Sequence, residues 1–344
     1  MDEKQVKKWM TTWVAIGIVI GAIACLTWIG GKKTTPEKIK EISEEVESIP
    51  ESYRVPNGVG MVEVIYEESD GLIVPGRIYF PLGPTKKYPA VVWCAGWTGK
   101  RAAHYGNLKE LAEQGYVAMI FKTTEQETYY QGIVKGMAGV WARDMEDAIT
   151  YLVEESPVKG LVDESKIGVV GHSLGGITAS KVAAEDPRVK AAVILSCTDL
   201  SKLSDVHIPI QIQTADFDFS GLLTTIENAP SYLLANPPKQ LVVIQAGTHD
   251  FAALPADEFP GWLIKRGKPP WQNKISLHYL LAWFDYFLNE EESARDRIIT
   301  PTEHLSKRWC SKYDLGEGEQ RMAGLLVKSK KRVSMVEIEE ELGG

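Results

Sequence analysis

A serine flanked by glycines lies where a folded chain is expected to turn sharply. Residues 171–176, Gly-His-Ser-Leu-Gly-Gly, follow a short apolar run, residues 166–170, that is typical of a buried strand. An alanine-rich, helix-compatible segment, residues 177–184, comes directly after them. Strand, Gly-x-Ser-x-Gly and helix together make a nucleophile elbow, a tight turn that projects the serine hydroxyl and needs small flanking residues. The sequence therefore predicts Ser173 as a nucleophile.

A nucleophile of this kind needs a histidine base, which follows the serine and the acid along the chain. His249 comes directly after residues 240–248, a β-type run that ends in Ala-Gly-Thr, so we expect it on a loop at the carboxyl end of the sheet. The other five of the six histidines precede the elbow, lie within it, or fall before a strand, on a helix or in a polar tail. We therefore predict His249 as the base; a solvated loop histidine is the alternative interpretation.

The acid is expected after the preceding apolar strand, residues 208–213. Two aspartates stand there, Asp216 and Asp218, while Asp199 follows an earlier strand and is a more distant choice. An Asp-x-Asp pair also resembles half of a metal site, but no set of His or Cys residues at ligand spacing accompanies it. No metal is expected, and the spacing alone leaves the choice between the two aspartates open.

An oxyanion hole would complete such a site. A predicted strand, residues 90–94, runs into Ala-Gly-Trp-Thr-Gly, residues 95–99, a turn of mostly small residues. The backbone N–H groups of Trp97 and of Leu174, the residue after the nucleophile, are expected to face the developing oxyanion. Such donors are worth ~3–4 kcal/mol each in the transition state. The ring of Trp97 is predicted to face substrate; a core aromatic is the alternative.

These motifs resemble a known family. From about Tyr53 to Asn289 the chain is similar to α/β-hydrolases of the dienelactone hydrolase type, and within them to the cutinase-like polyester hydrolases and related esterases. The matching segments are residues 58–60, 89–92, 96–99, 171–176, 209–218 and 247–249. The resemblance implies a serine nucleophile, where a true dienelactone hydrolase carries cysteine, and it favours Asp218 over Asp216. The chain departs from the pattern at Thr214, where the family often has glycine.

The resemblance also implies a function. We expect a serine hydrolase that cleaves carboxylic esters through an acyl-enzyme intermediate and needs no cofactor. His172 and aromatic side chains are predicted to line an open cleft suited to apolar or aryl esters, although ordinary core packing explains such aromatics almost as well; these aromatics are Trp97, Tyr129, Tyr130, Phe217 and Phe219. The alternatives are a peptidase or acyltransferase with the same triad, or a non-catalytic, membrane-tethered binding protein of the same fold.

Composition fits one globular catalytic domain with appendages. The 344 residues are 44% hydrophobic and include ten tryptophans, enough for a large core. A net charge of −8, with no basic patch through the catalytic segment, argues against a nucleic-acid partner. The four cysteines are scattered, with neither metal-binding spacing nor a disulfide framework.

The order of predicted elements indicates the fold class. Residues 59–66 and 72–80 read as two strands around a Ser-Asp-Gly turn, and strands then alternate with helices such as residues 141–155 and 275–288. This alternation predicts an α/β-hydrolase fold over residues 53–290, with a mainly parallel central sheet covered by helices on both faces. A charged extension, residues 291–344, is expected to be an exposed helix or partly disordered, and we assign it no function.

The amino-terminal segment carries a second signal. Residues 9–30 are apolar and long enough to span a bilayer, with tryptophans near both ends, which predicts one transmembrane helix. A cleaved signal peptide is the alternative, although its apolar core would be shorter. Residues 31–52 are expected to form a charged stalk or linker. Lysines flank both sides of the span, but a short amino-terminal tail usually stays inside, so we expect a single-pass membrane protein with an extracytoplasmic catalytic domain.

Overall fold

The chain is described by a computed structural model. All described residues belong to one compact unit. The predicted transmembrane helix and stalk lie outside the described residues. The residues that the structure describes are 53–55, 58–82, 86–97, 101–123, 135–199, 201–218, 231–254, 271–303 and 305–310.

Strands and helices alternate through most of this unit, as predicted. The strands are β1 (Tyr53–Val55), β2 (Val59–Glu67), β3 (Ile73–Pro81), β4 (Tyr88–Cys94), β5 (Val117–Phe121), β6 (Val162–His172), β7 (Val189–Leu195), β8 (Ile210–Phe217), β9 (Lys239–Thr248) and β10 (Leu305–Cys310). The α-helices are α1 (Tyr105–Glu113), α2 (Lys135–Glu154), α3 (Leu174–Glu185), α4 (Gln272–Phe287) and α5 (Ala294–Ile299).

Within the described residues the strands form one ten-stranded sheet, in the order β1-β2-β3-β5-β4-β6-β7-β8-β9-β10. The neighbours from β5 through β4 to β9 pair in parallel, and antiparallel pairs flank them at both edges. The carboxyl ends of parallel strands meet at one edge of a sheet, where ligands bind in open α/β folds. The topology therefore brings the loops after β4, β6, β7, β8 and β9 to the same edge.

Helices cover both faces of the sheet. Central strands such as β4 and β5 are buried along their whole length, which is why they read as unbroken apolar runs rather than alternating ones. One core lies between the sheet and α2 with α3, and includes Met145 and Val182. A second core lies under α1 and α4 on the other face, and includes Leu108 and Trp283. The predicted α/β-hydrolase architecture is confirmed.

Regular structure continues past residue 290, where the sequence suggested that the catalytic domain ends. Helix α5 follows α4, and β10 pairs antiparallel with β9 at the edge of the sheet, with Trp309 opposite Leu241. The sequence of this strand, Leu-Ser-Lys-Arg-Trp-Cys, mixes charged and apolar residues, as edge strands often do, and therefore resembles a polar tail. Among the described residues, no helix is both long enough and apolar enough to cross a membrane.

A chain of buried glutamine side chains joins the sheet to the helices beside it. Gln213 donates a hydrogen bond to the side chain of Gln211, which in turn donates to that of Gln240. The same three amides also donate to backbone carbonyl oxygens, two in α4 and one in α5. All three side chains are fully buried. Buried amides are costly unless they are hydrogen-bonded, so this network ties β8 and β9 to α4 and α5 in one arrangement.

Candidate active site

Four polar residues meet at the carboxyl edge of the sheet. Ser173 follows β6, Ser196 follows β7, Asp218 follows β8 and His249 follows β9, and these four strands are consecutive neighbours in the sheet. Residues at the ends of adjacent parallel strands lie about 5 Å apart in the direction of the backbone hydrogen bonds. The fold thus brings the predicted nucleophile, acid and base to one place.

The backbone at Ser173 is that of a sharp elbow. Its φ of 58° and ψ of −124° lie in a region that residues other than glycine rarely adopt. The Ser173 N–H donates to the carbonyl oxygen of Leu195 in the neighbouring strand, at 2.9 Å, and helix α3 begins at the next residue. Such strain persists only where surrounding contacts fix it, and it often marks a functional site. The predicted strand–turn–helix arrangement around the serine is confirmed.

Close backbone packing explains the glycines around the serine. A β-carbon on Gly171 would lie 1.9 Å from the carbonyl oxygen of Gly175, and one on Gly175 would lie 2.3 Å from that of Cys94. One on Gly96 would lie 2.9 Å from the β-carbon of Ser173. Contacts this short exclude any side chain. The glycines therefore let the elbow and the loop after β4 approach each other directly.

The histidine and one aspartate form a hydrogen-bonded pair. Nδ1 of His249 lies 2.7 Å from Oδ1 of Asp218, whose side chain is fully buried, while the His249 side chain is 23% exposed. An ionised carboxylate can only accept, so Nδ1 carries the proton and, in the neutral ring, Nε2 holds the lone pair. This tautomer is the one that a general base needs.

The second aspartate has a different partner. Oδ2 of Asp216 accepts a hydrogen bond from the backbone N–H of Ala246 at 3.0 Å. Ala246 has a φ of +54°, at the bend of β9 that leads into Gly-Thr-His. The contact stabilises this bend, so Asp216 supports the loop that carries His249. The choice of Asp218 over Asp216 as the acid stays a prediction.

Further contacts hold the loop that carries the histidine. Gln272, at the start of α4, accepts from the N–H of Thr248 at 3.1 Å, and Asn107 in α1 donates to the carbonyl oxygen of Ala252 at 2.7 Å. The loop is thereby attached to helices on one face of the sheet. These contacts between residues distant in sequence hold the loop backbone in place, and with it the imidazole.

His172, inside the serine motif, also supports this loop. Its Nε2 lies 2.8 Å from the carbonyl oxygen of His249, to which it donates, and the two rings are 4.9 Å apart between centroids. Burial, followed by repulsion from His249, lowers the pKa of His172 to about 4, so the ring is neutral at pH 7. Only 5% of the residue is exposed. The predicted substrate-binding role of His172 stays a prediction. Its hydrogen bond to the His249 carbonyl oxygen stabilises the loop.

The predicted oxyanion donors lie on the two segments that pack at the elbow. Leu174 is the first residue of α3, so its N–H is one of those that a helix leaves without an intrahelical partner. Trp97 follows β4 directly after Gly96, and 43% of the residue is exposed. An exposed ring at this place fits a substrate-facing tryptophan better than a core one. Tyr129 and the side chain of Phe217 lie outside the described residues, so their predicted substrate contacts stay predictions.

One residue of the cluster was not expected from the sequence. Ser196 is fully buried, and its hydroxyl donates to Oδ2 of Asp218 and lies 2.9 Å from Nδ1 of His249. The available signal was its position, directly after the strand next to that of the nucleophile. A serine in Leu-Ser-Cys-Thr-Asp reads equally well as the start of any loop.

Comparison with known proteins agrees with this geometry. The family model described as PET hydrolase-like matches residues 58–314, which is most of the chain. The chain belongs to the PET hydrolase-like family. The match extends past residue 290 and includes β10.

Individual relatives of this PET hydrolase-like chain are ester hydrolases by name. Cutinase 2 of Thermobifida cellulosilytica is 27% identical over 220 residues, 63% of this chain and 74% of that protein. Cutinase cut1 of Thermobifida fusca is 27% identical over 220 residues, which are 61% of its length. A bis(hydroxyethyl) terephthalate hydrolase of Streptomyces coelicolor is 31% identical over 145 residues, 42% of this chain and 44% of that protein. The predicted membership of the cutinase-like α/β-hydrolases, and with it a carboxylic-ester hydrolase, is confirmed.

Paired substitutions distinguish the two aspartates of this PET hydrolase-like protein. Asp218→Asn should lower turnover of a small aryl ester by about 10³- to 10⁴-fold, because the amide favours the wrong histidine tautomer. Asp216→Asn is the matched control: its amide oxygen can still accept from Ala246, so turnover should change little. Steady-state kinetics on both variants checks this, and the reverse pattern would move the acid to Asp216.

The buried His172 predicts a dependence of stability on pH. Its pKa is about 4 in the folded protein and about 6.5 when exposed, so between these values only the unfolded chain binds the proton. The free energy of unfolding should therefore fall by about 3 kcal/mol as pH drops from above 6.5 to about 4. Urea denaturation across this range measures it. His172→Gln should remove this part of the slope, the exposed His207→Gln should not, and an unchanged slope in His172→Gln contradicts the assignment.

Proposed function

We propose that the protein is a membrane-tethered serine hydrolase that cleaves carboxylic esters with Ser173, His249 and Asp218. The observation that carries the proposal is the His249–Asp218 hydrogen bond of 2.7 Å, made beside a strained elbow that holds Ser173. Base, orienting acid and nucleophile thus follow three strands at one sheet edge. Family membership supplies the reaction class.

The proposed reaction proceeds in two halves. Nε2 of His249 takes the proton of the Ser173 hydroxyl as its oxygen attacks the ester carbonyl carbon, and Asp218 stabilises the resulting imidazolium. The N–H groups of Trp97 and Leu174 are proposed to bind the oxyanion. The intermediate then expels the alcohol, which receives the proton from His249. Water, deprotonated by the same ring, attacks the acyl carbon; the acyl–oxygen bond then breaks, the carboxylic acid leaves, and His249 returns the proton to the Ser173 oxygen.

We propose esters with an aryl or apolar acyl group as the substrate class. Relatives include cutinases and a bis(hydroxyethyl) terephthalate hydrolase, and the exposed Trp97 beside the elbow suits a flat apolar group. Such a ring contributes a large contact area at low entropy cost. Esters of small aliphatic acids would use the same chemistry without this contact.

The tether is proposed from residues 9–30. An apolar segment of about 20 residues is sufficient to span the hydrocarbon core of a bilayer. Extracting such a segment from lipid costs far more free energy than releasing a protein that is attached only to the membrane surface. With the amino-terminal side of the span inside, the hydrolase would lie on the outer face, where it would meet extracellular esters.

The nucleophile has a direct test. Ser173→Ala should lower turnover of a small aryl ester by several orders of magnitude and abolish covalent labelling by a fluorophosphonate probe, because the attacking oxygen is gone. Ser180→Ala removes another buried serine hydroxyl, which among the described residues donates to the carbonyl oxygen of Gly176 in α3 at 2.8 Å, and this variant should keep both turnover and labelling. Labelling of Ser173→Ala at the wild-type level would contradict the assignment of Ser173 as the nucleophile. Products formed from ester, amide and added alcohol distinguish an esterase from a peptidase or an acyltransferase.

The tether is tested by fractionation. Full-length protein should stay in the membrane pellet after washing with alkaline carbonate, and a chain that starts at Tyr53 should be soluble, because it lacks the apolar segment. Protease added to intact cells should reach the catalytic domain if the tail faces inward. Full-length protein with Met1 retained in the soluble fraction would exclude the anchor, and a mature terminus near Gly31 would indicate a signal peptide instead.

A further inference from the structure

The carboxylate of Asp218 is held from two sides. Oδ1 accepts from Nδ1 of His249, and Oδ2 accepts from the hydroxyl of Ser196. Both Asp218 and Ser196 are fully buried. A buried carboxylate is strongly destabilised unless its oxygens receive hydrogen bonds, so the hydroxyl offsets part of the cost of keeping Asp218 ionised.

The direction of these hydrogen bonds is fixed by chemistry. Because an ionised carboxylate only accepts, the Ser196 proton points to Asp218. The Ser196 oxygen, 2.9 Å from Nδ1 of His249, is then left as a second acceptor near the Nδ1–H group. The hydroxyl thus contacts both members of the pair, and its contacts favour the tautomer in which Nδ1 is protonated.

The backbone conformation that directs the Ser196 hydroxyl toward Asp218 is strained. Ser196 has a φ of +81°, and the N–H of Cys197 donates to the carbonyl oxygen of Leu195 at 3.1 Å, which closes a γ-turn of the strained, positive-φ kind. The backbone N–H of Ser196 donates to the backbone carbonyl oxygen of Gln213 in β8 at 2.8 Å. Glycine would adopt this conformation without strain. A serine here is explained by what its side chain does.

We propose that Ser196 is a positioning residue of the triad, which orients the Asp218 carboxylate and through it the His249 ring. This rests on the proposed function, since the triad must be the catalytic site. Ser196 is fully buried and its hydroxyl contacts Asp218 and His249, so we expect it to contribute to turnover and not to substrate binding.

The test compares Ser196→Gly with Ser196→Ala in the full-length protein. Glycine removes the hydroxyl and suits the positive φ, whereas alanine removes the hydroxyl and keeps the strain. Both should lower kcat for a small aryl ester by about 10- to 100-fold, with KM within about twofold, because orientation of the base is lost and binding is not. Ser180→Ala is the control for loss of a buried serine hydroxyl. Wild-type kcat in Ser196→Gly would overturn the proposal, because only backbone strain would then matter.

A double-mutant cycle tests whether the effect passes through the acid. Removing the Ser196 hydroxyl in the Asp218→Asn background should change kcat by less than about threefold, because the carboxylate that it orients is already lost. A full 10- to 100-fold loss in that background, at about the single-variant size, would show that Ser196 acts independently of Asp218 and would overturn the proposal.

The labelling rate keeps this inference distinct from the ester assignment. A fluorophosphonate reacts with an activated serine whatever the natural substrate is, so its rate reports the triad directly. If wild-type protein labels rapidly but hydrolyses no ester, the proposed function fails while slower labelling of Ser196→Gly still supports the positioning role. Labelling of Ser196→Gly at the wild-type rate would overturn that role.

Discussion

The carbonyl oxygen of Leu195 accepts two backbone hydrogen bonds at the end of β7. One comes from Ser173 at 2.9 Å and fixes the elbow, and the other comes from Cys197 at 3.1 Å and closes the turn that carries Ser196. Two strained conformations, on neighbouring strands, are therefore stabilised by the same acceptor. Strained backbone persists only where surrounding contacts fix it. The conformations of Ser173 and Ser196 therefore both depend on the carbonyl oxygen of Leu195.

The loop that carries His249 is held instead by many hydrogen bonds from separate elements of the fold. Asp216 secures the bend before it, Gln272 and Asn107 attach the loop to helices, and His172 binds its backbone carbonyl. Loops are usually the least stable parts of a fold. Here contacts from several elements fix the loop, and with it the imidazole, relative to the sheet.

The sequence was sufficient for the parts of the site that depend on local pattern. The elbow needs glycines at fixed spacing, and a β run ending in Gly-Thr-His places the histidine by the strand alone. The pairing of His249 with Asp218 rather than Asp216 depends on where β8 stops relative to β9, which the spacing left open. Ser196 was missed because its positive φ arises from contacts to other strands, which leave no mark on the local sequence. Strand β10 was missed because a solvated edge strand has the composition of a tail.

The glutamine network has a consequence for strand register. Gln211 and Gln213 project toward α4, while Ile210 and Ile212 on the opposite face of β8 belong to the apolar core beneath α2 and α3. A slip of β8 by one residue would exchange these faces, place amides among hydrocarbon and leave helix carbonyls facing isoleucine. Such misaligned sheets are disfavoured by the free-energy cost of burying amides without hydrogen-bond partners in the interior. The register that places Asp218 beside the imidazole therefore depends on buried amides earlier in the same strand.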